Sequence, residues 1–394
     1  MSFRKRSVVV SQPGIIAAVS KDEKVAVPGV RPSPLDGRAT ISTGTRSLDG
    51  LLAGHAGLAL GTSLLIEESG TTDFGGVLLR YYAAEGVVQG HHIHCLGVSE
   101  AWARELPGVA AAGGKSSRSE EKKPVDDKMK IAWRYERLGE FGVGAARERG
   151  APHTSNSSGS ATPIFCHDFD LSKRLTLPST AQLHFTATQT GSILDSSDDP
   201  TNSPFTKFIS QLSTILSSSP NYIHRVIIPT ILSPALYPCN SSQPAILLQF
   251  LHGLRALLRK YPSQLTAMIT LPLTLHPRNT GLTRWMELLS DGVLELAPFP
   301  STAISAKTAP GASAMHEEPP QGMLQVHRLP IFHEKGGGGG EASGFGDDLA
   351  FALSRRKGLV IKPFSLPPVE GDAEAQGGRP DSASAKATKF DIEY

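Results

Sequence analysis

The chain has 394 residues, 39% of them hydrophobic, with 39 glycines and 29 prolines, which is material for one large core diluted by loops. A formal charge of +2 excludes a global field that would draw nucleic acid or a membrane surface, so any basic patch is local. Three widely spaced cysteines, Cys95, Cys166 and Cys239, with no C-x-x-C, argue against a disulfide framework or zinc knuckle and for a reducing compartment.

In chain order, the "VVV" of "MSFRKRSVVVSQPG" is too short for a signal-peptide core or a membrane span, and "RKR" reads as a solvated basic end. "TSLLIEE" is a continuous apolar run and predicts a strand. The spacing that follows predicts a helix over 74–85, with Val77, Leu78, Tyr81 and Tyr82 on one face. "HHIHCLGVS" is the next strand. Ser203 is placed to cap a helix with Pro204 at its first position, and Phe205, Phe208, Ile209, Leu212, Ile215 and Leu216 form its apolar stripe. "HRVIIPTIL" predicts a buried strand. Pro244 opens a helix with Leu247, Phe250, Leu251, Leu254 and Leu258 at three-and-four spacing. "LTAMITLPLTL" (strand), "GLTRWMELLS" (short helix), "GVLELAPF" (strand) and "GMLQVHRLPIF" (final strand) complete the series. Strand and helix in turn, with continuous apolar strands, imply an α/β fold with a mostly parallel central sheet covered on both faces.

Low-complexity stretches interrupt this pattern near 113–128, 151–163, 189–203, 301–320 and 333–346. None can bury enough apolar surface to offset its ordering entropy, so they are expected as disordered insertions in one domain spanning 28–371, between a disordered N-terminus (1–27) and tail (372–394).

The first strand and helix are joined by "SGTTDFGGV". Gly70 and Gly75 have the spacing of a G-x-x-x-x-G-K-[ST] phosphate loop, but Gly76 stands where the lysine belongs and Val77 where the hydroxyl belongs. The lysine neutralises phosphate and the hydroxyl holds magnesium, so both functions are missing, while Glu67, Glu68 and Asp73 add negative charge nearby. The strand that should end in a magnesium-orienting aspartate carries Pro229 there. Glu100, after the second strand, is placed as a water-activating base, yet a base is idle without a bound phosphate. The loop is therefore expected to be architectural and the chain not an enzyme. In "HHIHC", strand alternation sets His92 and His94 on one face and His91 and Cys95 on the other; this splits the ligands, and no metal is expected.

The residues that lead into the loop, Thr43, Gly44, Leu48, Asp49, Leu51, Leu52, Gly54, Gly57, Leu58 and Gly61, resemble the entry to a RecA-type ATPase core. With "GTTDFGGVLLRYYAAEG", and with "DLAFALSRRKGLVIKPFSLPPVEG" near the end, the chain is similar to the PAXNEB family, subunit four of the Elongator complex. The resemblance implies a RecA-like fold without the usual nucleotide motifs, in a heterohexameric ring with subunits five and six. The ring would bind tRNA and dock on the catalytic subcomplex of subunits one to three, which modifies wobble uridines at position five. It implies no cofactor held by this chain, no membrane, and a place in the cytoplasm and nucleus; the family's ring is also described as an ATPase, so nucleotide at a subunit interface stays open. By the same resemblance "TLHPRNTGLTRW" lines the ring's channel, where His276, Arg278 and Arg284 would meet tRNA phosphates. Arg355, Arg356 and Lys357 precede an apolar run that either clasps a partner by strand addition or finishes this chain's own sheet. The rival readings are an active RecA-type ATPase with a divergent loop and a single-chain nucleic-acid binder.

Overall fold

The computed structural model describes residues 27–52, 56–110, 164–188, 203–300, 319–330 and 348–364. The insertions expected near 113–128, 151–163 and 333–346, most of 189–203 and 301–320, and both terminal segments lie outside them.

The elements follow in order as β1 (Val30–Pro32), β2 (Ala39–Ile41), α1 (Arg46–Leu51), β3 (Leu58–Ala59), β4 (Ser63–Glu68), α2 (Phe74–Val88) and β5 (His92–Leu96). A 3-10 turn over Glu100–Glu105 leads to β6 (Pro107–Val109), β7 (Phe169–Arg174) and β8 (Leu183–Thr186). Then come α3 (Pro204–Ser218), β9 (His224–Ile228), α4 (Pro244–Lys260), β10 (Leu265–Pro272), α5 (Gly281–Leu289), β11 (Gly292–Pro298), β12 (Gly322–Arg328), β13 (Leu349–Ser354) and β14 (Gly358–Pro363).

Among the described residues the main sheet has nine strands in the order β14-β13-β12-β11-β4-β10-β9-β5-β8. From β11 to β8 every pairing is parallel, and from β11 to β14 every pairing is antiparallel. β4 lies inside the parallel part, between β11 and β10, and all six of its residues are buried. That is why it reads as a continuous apolar run rather than an alternating one. The pleat divides its side chains: Leu64 and Ile66 join one core with Leu79 and Tyr82 of α2, and Leu65 joins another with residues of α3, α4 and Met286 of α5. The sheet is thus covered on both faces, the architecture expected of a RecA-like fold.

Helix starts follow the predicted chemistry. The Ser203 hydroxyl accepts from Phe205 N at 3.3 Å, with Pro204 at the first helical position, and Pro244 opens α4. α2 differs from expectation. It runs on to Val88 and is buried on nearly all sides, because α1 and the flanking strands cover the face opposite the sheet.

"GMLQVHRLPIF" is not the last strand, for β13 and β14 follow as an antiparallel hairpin. The "GLVIKP" run therefore finishes this chain's own sheet. β7 and β8 were not foreseen: their half-buried, mixed residues show neither a clean alternation nor a continuous apolar run. Among the described residues no helix is long and apolar enough to cross a membrane.

Candidate functional site

The degenerate loop joins the C-terminal end of β4 to the N-terminus of α2. Gly70 has a positive φ of +91°, a conformation that favours glycine, and it turns the chain out of the strand. The helix then presents its first free N–H groups back toward β4, the geometry that in a phosphate loop cradles an anion. The anion here is internal. Glu68, the last residue of β4, turns its carboxylate into the cradle. One oxygen accepts from Phe74 N at 3.0 Å and from the Thr72 hydroxyl at 2.7 Å, and the other accepts from Gly75 N at 2.8 Å. Burial raises the Glu68 pKa, against the lowering effect of these hydrogen bonds.

The two missing side chains are replaced by other contacts. A Cβ at Gly76 would run into the Asp73 carboxylate, which is itself paired with Arg80 at 3.1 Å. Val77 is half-buried against the core. At the end of β9, where a magnesium-orienting acid is absent, the Tyr237 hydroxyl lies 3.2 Å from the Pro229 carbonyl and 3.3 Å from the Leu96 carbonyl. It ties the ends of β9 and β5 together. Sequence reasoning missed Tyr237, because nothing in its spacing shows that it folds back over those strands. Glu100 begins the 3-10 turn and is exposed.

The entry residues of the resemblance hold the scaffold. Asp49 accepts from the Ser42 hydroxyl at 2.6 Å, from Thr43 N at 2.7 Å and from the Thr43 hydroxyl at 2.7 Å. Gly44, at φ +76°, lets the backbone of α2 approach where a Cβ would strike the Tyr81 carbonyl. The fully buried Arg225 donates to the carbonyls of Ser42 at 2.8 Å and Tyr82 at 3.0 Å, and to His91 Nδ1 at 3.0 Å. Loop entry, α2 and β9 are thereby one connected unit.

The "TLHPRNTGLTRW" residues do not act as one group. Arg278 is gathered inward by three carboxylates: Glu287 at 2.8 Å, Glu67 at 3.2 Å and Glu295 at 3.7 Å. Arg284 pairs with Glu287 at 3.1 Å but keeps 67% of its side chain exposed. His276 is half-buried on the preceding turn. Glu67 is fully buried, and its carboxyl is pushed up to about 7, first by burial and then by Glu287, against the pull of Arg278. Arg355, Arg356 and Lys357 are exposed at the tip of the β13–β14 hairpin, and the Arg355 carbonyl accepts from Leu171 N of β7 at 2.9 Å.

The "HHIHC" expectation is met within β5 and incomplete beyond it. His92 and His94 do share a face. The neighbouring strands add His224 of β9 opposite His92 and His184 of β8 opposite His94, a convergence a single strand cannot reveal.

Fold and loop together define an α/β scaffold of the nucleotide-binding type whose phosphate cradle is filled by its own glutamate. The chain belongs to the PAXNEB protein family, whose profile matches residues 23–394. It is similar to Elongator complex protein 4 of Schizosaccharomyces pombe, with 31% identity over 92% of this chain and 95% of the relative. The protein of the same name from Saccharomyces cerevisiae is 28% identical over 93% and 84%, and that of Homo sapiens 29% identical over 98% and 89%.

Proposed function

We propose that this chain is a subunit of an Elongator complex and serves there as architecture, not as an enzyme. It would stand in a heterohexameric ring with subunits five and six, acting in cytoplasm and nucleus with the catalytic subunits one to three on wobble uridine of tRNA. The single observation that supports an architectural role is the Glu68 carboxylate in the helix-start cradle. A nucleotide phosphate would have to expel a buried anion that already satisfies those N–H groups, and would find no lysine to offset the repulsion. Keeping the strand, loop and helix then serves the sheet, since α2 fills one of its faces.

The RNA part of the reading rests on the exposed Arg284 and on the half-buried His276 of the preceding turn. Arg278 contributes by holding the turn to Glu67, Glu287 and Glu295. Backbone-type contacts of this sort bring affinity without sequence choice.

The test is made on the purified chain, alone and co-expressed with subunits five and six. The lone chain is expected to give no calorimetric signal with Mg·ATP at millimolar nucleotide, while the co-expressed set elutes as one ring that binds tRNA. Arg284→Ala should weaken that binding and lower its salt slope by about one phosphate contact. ATP seated in the loop of the lone chain, or turnover lost on Glu100→Gln, would return the ATPase reading to first place.

A further inference from the structure

We propose that His92, His94 and His224 form a binding site for one divalent transition-metal cation of the zinc class. It lies on the α3 face of the sheet, at the strand ends opposite the phosphate-loop position. Each of the three offers one ring nitrogen, and these nitrogens all lie within 4.8 Å of one another. His94 Nε2 and His224 Nδ1 are 3.0 Å apart. Tetrahedral Zn–N bonds of about 2.05 Å set nitrogen separations near 3.3 Å, so modest side-chain rotation closes the set. Three imidazoles with a water in the fourth position is an ordinary coordination for such a cation, and imidazole suits zinc, cobalt, nickel and copper alike.

The surroundings orient the donors. His224 Nε2 faces the Ser219 carbonyl at 3.4 Å and the Ser219 hydroxyl oxygen at 3.3 Å. That hydroxyl already donates its proton to the Ile215 carbonyl at 2.5 Å, so both neighbours can only accept. The His224 ring proton must then sit on Nε2, which leaves the Nδ1 lone pair aimed at the cluster. A backbone acceptor that sets the tautomer of a ligating histidine is the usual outer support of a metal site. His184 stacks on His94 at 4.8 Å and 16° and holds its plane, and Tyr222 covers His92 at 4.8 Å.

Buried side-chain polar atoms normally have a hydrogen-bond partner. With the His224 proton on Nε2, His94 Nε2–H donates to His224 Nδ1 at 3.0 Å, and a metal ion would displace that shared proton to bind both nitrogens. His92 Nδ1 and His184 Nε2 are buried with no hydrogen-bond partner among the described residues. His92 is half-buried rather than sealed, which gives an ion a way in.

The experiment uses the tag-free full chain, stripped with chelator and titrated with Co²⁺ and then Zn²⁺. One equivalent should bind, with the visible absorption of tetrahedral Co²⁺, and Zn²⁺ should displace it. His92→Gln, at the half-buried start of β5, should weaken binding at least tenfold while the chain unfolds like the parent, and His94→Gln should abolish the absorption band. His327→Gln, in the separate group of Glu67, Glu295 and His327, should change nothing. Stoichiometry near zero, full binding by His92→Gln, or loss confined to His327→Gln would overturn the site.

Discussion

At Glu67 burial and charge oppose one another. Its side chain is fully buried at the end of β4, and Arg278 Nε stands 3.2 Å away with two further carboxylates competing for it. The folded carboxyl therefore keeps its proton up to about 7, against an ordinary 4.5. Between those values the folded state binds more protons than the unfolded one, so stability falls as pH rises through that window. Glu67→Gln removes the cost while leaving Arg278 its other two partners. The variant should be more stable than the parent at pH 8 by on the order of 2 kcal/mol, with the difference fading toward pH 4. Thermal unfolding at the two pH values checks this, and equal midpoints throughout would contradict it. None of this was legible in the sequence. The spacing of "TLHPRNTGLTRW" put Arg278 on a loop, but its three carboxylates come from β4, α5 and β11, which only the folded sheet brings together.

The β4–loop–α2 element was largely legible. Gly70 and Gly75 at phosphate-loop spacing, after an apolar run and before a helical stripe, predict a strand, a tight turn and a helix, and all three are present. The direction of the Glu68 side chain was not, because alternation along a strand says which face a residue takes and not that its carboxylate folds over the strand end. If Glu68 acts as an internal substitute for phosphate, Glu68→Ala leaves the N–H groups of Phe74 and Gly75 without their acceptor at the positive end of α2. The expected loss is about 1–3 kcal/mol in denaturant unfolding. Sulfate or phosphate should restore part of it in the variant, beyond any effect on the parent, since an anion can then enter the vacated cradle. An identical anion response in both proteins would show that the N–H groups find another partner. α3 and α4 were legible for a simpler reason: each is amphipathic, and its stripe meets one face of the sheet. The histidine cluster was half legible, since period two pairs His92 with His94 but pairing across strands, which adds His184 and His224, depends on the order β9-β5-β8.

On the scale of the whole molecule, alternating strands and helices predicted the parallel part of the sheet and failed at its antiparallel flank. Among the described residues no helix lies between β12 and β14 to mark the strands, and the sheet ends on β14 on that side and on β8 on the other. The outer edge of β14 is not open for strand addition: the Ser47 hydroxyl of α1 accepts from Ile361 N at 3.0 Å and lies 3.4 Å from the Leu359 carbonyl. The hairpin tip keeps Arg355, Arg356 and Lys357 exposed; on the function proposed above, a ring partner with an acidic face would dock through these charges. Truncation after Phe345 cannot test this cleanly. Leu349, Ala350, Phe351 and Leu359 are buried, and Phe351 packs edge-on against Phe74 at the start of α2, so the deletion would strip one flank of the core. The informative variant reverses the tip charges, Arg355→Glu, Arg356→Glu and Lys357→Glu together. Exposed positions of this kind move stability by only about 0.5 kcal/mol each, so the lone variant should unfold close to the parent. Its co-purification with subunits five and six should fall, most sharply at low salt, where charge complementarity contributes most to association. A variant that assembles as well as the parent at every salt concentration would leave the β14 hairpin as a closure of this chain's own sheet and move the docking surface elsewhere.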